Sequence, residues 1–230
     1  MTRYIKDSAL PDCRHCKNTR ILHGGESVYQ CQCSKKGVPL MRFLDTTIGR
    51  MYHGASLGAL VPMDAPQTQL IGHAQRFVEW YGSGKKGLYL WSKQAGNGKS
   101  LVASAIVNAI GLPSQAIEAS QLWDALRSCY DSNEPQARYM NVVMYVPALM
   151  LDDLGMGNTE KSDEWLTDIL NARIEKGLLT IITSNLHPTQ LKNASDRCIS
   201  RIMSHTHPLE VKNVTDWRVK LKPYMSETLI

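Results

Sequence analysis

The sequence predicts an α/β protein, with a parallel sheet flanked by helices and a small cysteine-bearing module in front of it. Three observations carry this. A short apolar strand runs through a glycine-rich turn into an amphipathic helix over residues 87–111. Two more apolar strands, ending at Asp152-Asp153 and at Thr183-Ser184-Asn185, are separated by a long amphipathic helix. Four of the six cysteines fall between Cys13 and Cys33.

A chain of 230 residues has room for one full α/β domain plus a small module. Its 43% hydrophobic and 20% charged residues are those of an ordinary soluble globular protein. No apolar run approaches the roughly 18 residues of a membrane span, and "MTRYIKDSALPDC" holds no signal-like stretch, so a cytoplasmic protein with no membrane partner is expected. The net charge of +5 permits contact with nucleic acid without establishing it; Lys35-Lys36 and Lys85-Lys86 are the densest basic spots before the C-terminal stretch.

The first element is "CRHCKNTRILHGGESVYQCQC", whose form is C-x2-C-x14-C-x-C. Two close pairs of thiolates from two turns can complete a tetrahedron around Zn²⁺, which makes Cys13, Cys16, Cys31 and Cys33 the candidate ligands of a closed structural site. His15 or His23 is an alternative to one thiolate. Disulfides or free thiols are the remaining readings, the former disfavoured in a reducing compartment. Residues 20–22 and 27–29 are expected to pair across a turn at His23-Gly24-Gly25-Glu26. So small a segment buries little core, and the metal would supply its folding energy. Residues 34–61 read as linker plus one short helix.

A helix is expected from Pro66 to Tyr81, with Leu70, Ile71, Ala74, Phe77 and Val78 on its inner face. Then comes the strand Gly87–Trp91, the loop "SKQAGNGKS", and a helix closed by Gly111. The loop resembles the phosphate-binding pattern G-x-x-x-x-G-K-[ST], with Lys93 where the first glycine stands. The physics asks for amides at Gly96, Asn97, Gly98, Lys99, Ser100 and Leu101 around a phosphate at a helix N-terminus, with Lys99 on the β- and γ-phosphates and Ser100 on Mg²⁺. A left-handed Lys93 would store about 1–2 kcal/mol.

The strand Ala148–Leu151 ends in Asp152, placed to hold the Mg²⁺ shell, and Asp153, placed to polarise the attacking water. A helix capped by Ser162 follows, with Trp165, Leu166, Ile169, Leu170 and Ile174 inward and Gly177 past its end. Leu178–Thr183 is a further strand, and Asn185 at its tip can orient water. On "SDRCISRIM" Arg197 and Arg201 share one helical face opposite Ile199, Ile202 and Met203. Arg218 follows a short strand over residues 209–214. Cys129 and Cys198 are expected as buried, inert thiols.

Taken together, "GLYLWSKQAGNGKS", "ALMLDDLG", "DEWLTDILNARIEKGLLTIITSNL", "SDRCISRIM" and "TDWR", after the cysteine module, resemble the AAA+ ATPases of the DnaC/DnaI helicase-loader family, particularly its compact phage and prophage versions. The resemblance implies a P-loop NTPase fold with an AAA+ core and no full helical lid domain, behind a zinc-ribbon-like module. The implied division is a zinc-binding module over residues 1–45, a linker over 46–64 and an ATPase domain over 65–230. It makes Lys99 and Ser100 the Walker A pair, Asp152 and Asp153 Walker B, Asn185 sensor 1, Arg201 the arginine finger and Arg218 sensor 2. It also implies ATP, Mg²⁺ and Zn²⁺ as cofactors and slow, DNA- or oligomer-stimulated hydrolysis. The implied partners are a DnaB-type replicative helicase, single-stranded DNA and further copies of the chain through the ATPase domain. The alternatives are an IstB-like transposition helper and an ATP-gated adaptor with little hydrolysis.

Overall fold

The near-continuous apolar runs of the central strands require cover on both sides, and the fold supplies it with two helical layers. The computed structural model describes residues 21–24, 27–30, 55–81, 87–129, 133–155 and 159–212. Within the cysteine module it contains the hairpin β1 (Ile21–Gly24) and β2 (Ser27–Gln30), antiparallel, with Gly24 opposite Ser27. Pairing therefore runs through His23 and Gly24, closer to the tip than the expected four-residue turn. The cysteines of the module and Arg218 lie outside the described residues, as does the segment expected to hold a linker and one short helix up to residue 54; of its remainder, residues 55–61, a short 3-10 helix spans Leu57–Ala59.

The main sheet has five strands: β3 (Gly87–Trp91), β4 (Ser114–Glu118), β5 (Ala148–Leu154), β6 (Leu179–Ser184) and β7 (Thr206–Glu210). All neighbours are parallel, in the order β4-β5-β6-β3-β7. The strand carrying the glycine loop thus lies between β6 and β7. Among the described residues six helices flank the sheet: α1 (Ala65–Trp80), α2 (Lys99–Ile110), α3 (Ala119–Ser128), α4 (Asn133–Tyr145), α5 (Glu160–Lys176) and α6 (Asp196–His205).

One face of the sheet (Leu88, Leu90, Met150, Ile181) packs under α1 and α2 through Leu70, Ala74, Val102 and Ile106. The other face (Tyr89, Leu149, Leu151, Ile182) packs under α3 to α6, where Trp123 and Trp165 stack with centroids 6.3 Å apart. Each such side chain contributes about 1.5–3 kcal/mol on burial.

Local signals account for most helix ends. Asp64 accepts from the Gln67 amide to start α1, and left-handed Gly111 and Gly177 close α2 and α5. Four expectations need correction. Helix α5 starts at Thr159, not Ser162: Ser162 sits one turn in and the two residues cap each other reciprocally. Strand β5 runs on through both acids to Leu154 instead of ending at them. The last strand starts at Thr206, directly from α6, not at Leu209. The buried face of α6 is Cys198, Ile202 and His205, with Ile199 and Met203 only half-buried.

Arg173, spaced with Ile169 and Leu170 on the inner stripe of α5, is fully buried. Its guanidinium donates to Thr180 Oγ1 (2.8 Å), to the Val143 and Val146 carbonyls (2.8 and 2.9 Å) and to the Leu179 carbonyl. It ties α4, the turn before β5, and β6 together at the end of the sheet opposite the glycine loop. Burial, and secondarily the nearby Arg173 charge, push His205 down to about 4, so its ring is neutral and shares Thr180 Oγ1 and the Leu178 carbonyl.

Candidate functional site

The site forms where β3, β5 and β6 end together. Gly96 (φ 75°) and Gly98 (φ 83°) take the left-handed turns that let the loop close over the start of α2. Lys93 needs no such turn: it is exposed and its φ is not positive. Ser92 Oγ accepts from the Gln94 amide at 3.2 Å, so a side-chain hydroxyl shapes the entry where glycine was absent. The departure from the usual pattern costs no left-handed strain.

Lys99 is 8% exposed. Its ammonium donates to the Gln94 carbonyl (3.1 Å), Asn97 Oδ1 (3.0 Å) and Asn185 Oδ1 (3.0 Å). Asn185 in turn donates through Nδ2 to Asp153 Oδ1 at 2.9 Å. Lys99, Asn185 and Asp153, far apart in sequence, are therefore one hydrogen-bonded relay across three strand ends.

Both acids sit in a β-bulge. Leu151 pairs with Ile182 and Leu154 with Ser184, so Asp152 and Asp153 together face Thr183. Asp153 adopts φ 51°, a left-handed conformation that aspartate tolerates better than most residues. Burial raises the Asp153 carboxyl above the ordinary aspartate range. The neighbouring charges of Asp152 and Glu118 raise it further, and Lys99 offsets part of this. Glu118, paired in register with Asp152 and holding Ser120 and Gln121 on its two oxygens, was not among the sequence candidates. Nor were Gln94 and Thr183.

The arrangement fits a nucleotide triphosphate. Asn97 is 1% exposed, and its Nδ2 has no partner among the described residues, a buried donor inside the loop waiting for an acceptor. Ser100 is half-buried in the first turn of α2, and the hydroxyl–carboxylate set of Ser100 and Asp152 suits a hard cation such as Mg²⁺. No group of three or more His, Cys, Asp or Glu suited to a metal occurs among the described residues. Beside the loop, a groove of about 160 Å³ lies between α1 and the exit of β7, lined by Pro66, Leu70, His73, Leu209 and Val211. It opens at the same end of the sheet, since Glu210 pairs with Trp91 and the Val211 amide donates to the Trp91 carbonyl.

Arg201 does not project freely from α6. It is half-buried, and its Nε is buried without a partner among the described residues, whereas Arg197 is exposed. Cys129 and Cys198 are buried free thiols, and burial, then the Asp163 charge, push Cys198 up to about 12. No helix among the described residues is long and apolar enough to cross a membrane.

The strand order, the glycine loop and the acids at the end of β5 define a P-loop domain of the AAA+ class. No protein-family model matches this sequence, and no curated protein matches it. Solved structures do. A crystal structure of DnaI is 28% identical, with TM-score 0.63, covering 73% of this chain and 96% of that one. A DnaC helicase loader is 23% identical, with TM-score 0.61, covering 71% and 100%. The AMPPCP-bound DnaA from Aquifex aeolicus is 20% identical, with TM-score 0.62, covering 74% of this chain. The chain spans 56% of the length of that DnaA and 55% of a further DNA replication initiation factor. The chain thus has the AAA+ fold and is similar to DnaI over nearly the whole of that structure.

Replacing Asp153 tests the electrostatics of this site. Folding raises its pKa, so its charged form opposes the fold. That cost is fully present above the raised value and gone below the ordinary aspartate value. Asp153→Asn keeps the left-handed turn and an acceptor for Asn185. It should raise the melting temperature of the nucleotide-free protein at pH 7, with the gap closing as pH falls. Melts from pH 4 to 8 check this; a variant that melts below wild type at pH 7 would contradict it.

Proposed function

We propose that this chain is an ATPase that loads a ring-shaped, DnaB-type replicative helicase onto single-stranded DNA. The observation that carries the ATPase part is the relay from Lys99 through Asn185 to Asp153. The helicase part is supported by the likeness to DnaI over nearly the whole of that chain.

In this reading the amides of residues 96–101 and the free Nδ2 of Asn97 hold the phosphates at the positive end of α2. Ser100 and Asp152 would hold Mg²⁺, whose charge offsets that developing on the transferred phosphoryl group. Lys99 leaves its three oxygens for phosphate oxygens. Asn185, released from Lys99, fixes the attacking water together with Asp153, which accepts its proton. The groove between α1 and β7 takes the base.

Arg201 is assigned to the nucleotide of a neighbouring copy in a self-oligomer, and Arg218 to its own nucleotide as sensor 2. Cys13, Cys16, Cys31 and Cys33 hold a structural zinc. The hairpin supports this, because Ile21 and Gln30 pair at the open end from which both cysteine pairs continue in sequence.

Affinity purification of the intact chain from its host, with and without ATP, followed by mass spectrometry, tests the partner. A replicative helicase retained in an ATP-dependent manner is the expected result. A transposase in its place would make the chain a transposition helper. Helicase retention with bound but unhydrolysed ATP would make it an adaptor.

A further inference from the structure

The bulge at Asp152-Asp153 breaks the ladder at the point where the carboxylates are needed, and a break leaves backbone groups without strand partners. Thr183, the one β6 residue opposite the two acids, repairs it. Its Oγ1 accepts from the Asp153 amide at 2.9 Å and donates to Asp152 Oδ1 at 2.5 Å. Thr183 is 1% exposed, so water does not readily take the place of its hydroxyl. The next residue continues the pattern: Ser184 Oγ donates to the Leu154 carbonyl (2.6 Å) and accepts from the Leu186 amide (3.0 Å), closing the far side of the bulge. Thr183 and Ser184 at the end of β6, and Asn185 just past it, thus each hold a different part of the neighbouring strand's tip.

We propose that Thr183 is the positioning residue of this site. Through one hydroxyl it holds the backbone of Asp153 in its left-handed turn, and it ties up one oxygen of Asp152 so that the other is presented to the cation. Space filling alone does not require a hydroxyl, because valine has the same shape and the same preference for a strand. The hydroxyl matters because it serves a donor and an acceptor at once, and valine serves neither. This inference rests on the ATPase reading for its cation, but not for the two hydrogen bonds.

Thr183→Val and Thr183→Ser, in the full chain, separate the possibilities. In the nucleotide-free protein the Asp153 amide should exchange faster in Thr183→Val and at the wild-type rate in Thr183→Ser. The Mg²⁺ concentration needed for half-maximal binding of a fluorescent ATP analogue should rise about 10–100-fold in Thr183→Val, with metal-free binding unchanged. The rate constant kcat should fall by a similar factor, and serine should restore both. If valine prevents folding, Thr183→Ala compared with serine supplies the same readings. Wild-type exchange and Mg²⁺ dependence in the valine or alanine variant would overturn the proposal, as would serine failing to rescue. Failure of the wild-type chain to bind the analogue would instead sink the ATPase reading, and the exchange measurement tells the two failures apart.

Discussion

Arg173→Met is expected to destabilise the protein by about 3–4 kcal/mol, a large part of the roughly 5–15 kcal/mol that holds a domain together. The side chain is fully buried, and burial lowers its pKa to about 9, a sign of how much desolvation it bears. Methionine would remove that penalty. Against this, it would strand the Val143, Val146 and Leu179 carbonyls, each at about 1–3 kcal/mol in a dry environment, while Thr180 Oγ1 keeps His205. Three orphaned acceptors outweigh one relieved cation. Lysine should rescue only in part, since a point ammonium cannot reproduce a planar fork reaching α4, the turn before β5, and β6 together. Urea unfolding measures the loss as a shifted midpoint at constant slope. A shift worth less than about 1 kcal/mol would mean that the carbonyls find other partners. Because Arg173 lies at the far end of the sheet, nucleotide affinity of the folded variant should be unchanged.

The same residue shows where the sequence stops being legible. Arg173 lies near the end of α5, where a cation ordinarily sits in solvent against the helix dipole. Its spacing from Ile169 and Leu170 was the only hint of burial, and the carbonyls that receive it come from segments about thirty residues away. Strand β4 was also not marked, because Ser114–Glu118 carries few apolar residues and lies at the sheet edge. The bulge had no signal either: nothing in "LMLDDLG" says that two residues will face one. What was legible had local causes. Gly111 and Gly177 end helices because left-handed closure needs them, and "GLYLW" and "LLTIITS" are strands because apolar residues fill both faces. Lys99, Asp152, Asp153 and Asn185 were named from their places at strand ends, and the parallel sheet brings those ends together. Arg201 shows the opposite case, since helical spacing alone put it on an open face and the packing of α6 half-buries it.

Lys99→Ala should have the contrasting effect: function lost, fold kept. The ammonium is held by Gln94, Asn97 and Asn185; Gln94 is exposed and Asn185 half-buried, so water can reach two of the three oxygens it leaves behind. Its removal should cost little stability. For ATP the loss is two-fold. A charge-assisted contact to phosphate is worth about 1.5–3 kcal/mol, or about 10–100-fold in Kd. Loss of a cation aimed at developing phosphoryl charge costs a further factor of about 10²–10³ in kcat. The relay predicts something more specific than either number. Lys99 pulls the Asp153 carboxyl down and holds Asn185 in place, so removing it disturbs both partners. Lys99→Ala and Asn185→Ala should therefore be non-additive in kcat, the double variant scarcely worse than the first alone. Additive losses would mean that the two side chains act independently and that the relay is only a resting arrangement. A Lys99→Ala protein that binds and hydrolyses ATP like the wild type would remove the phosphate from this loop altogether.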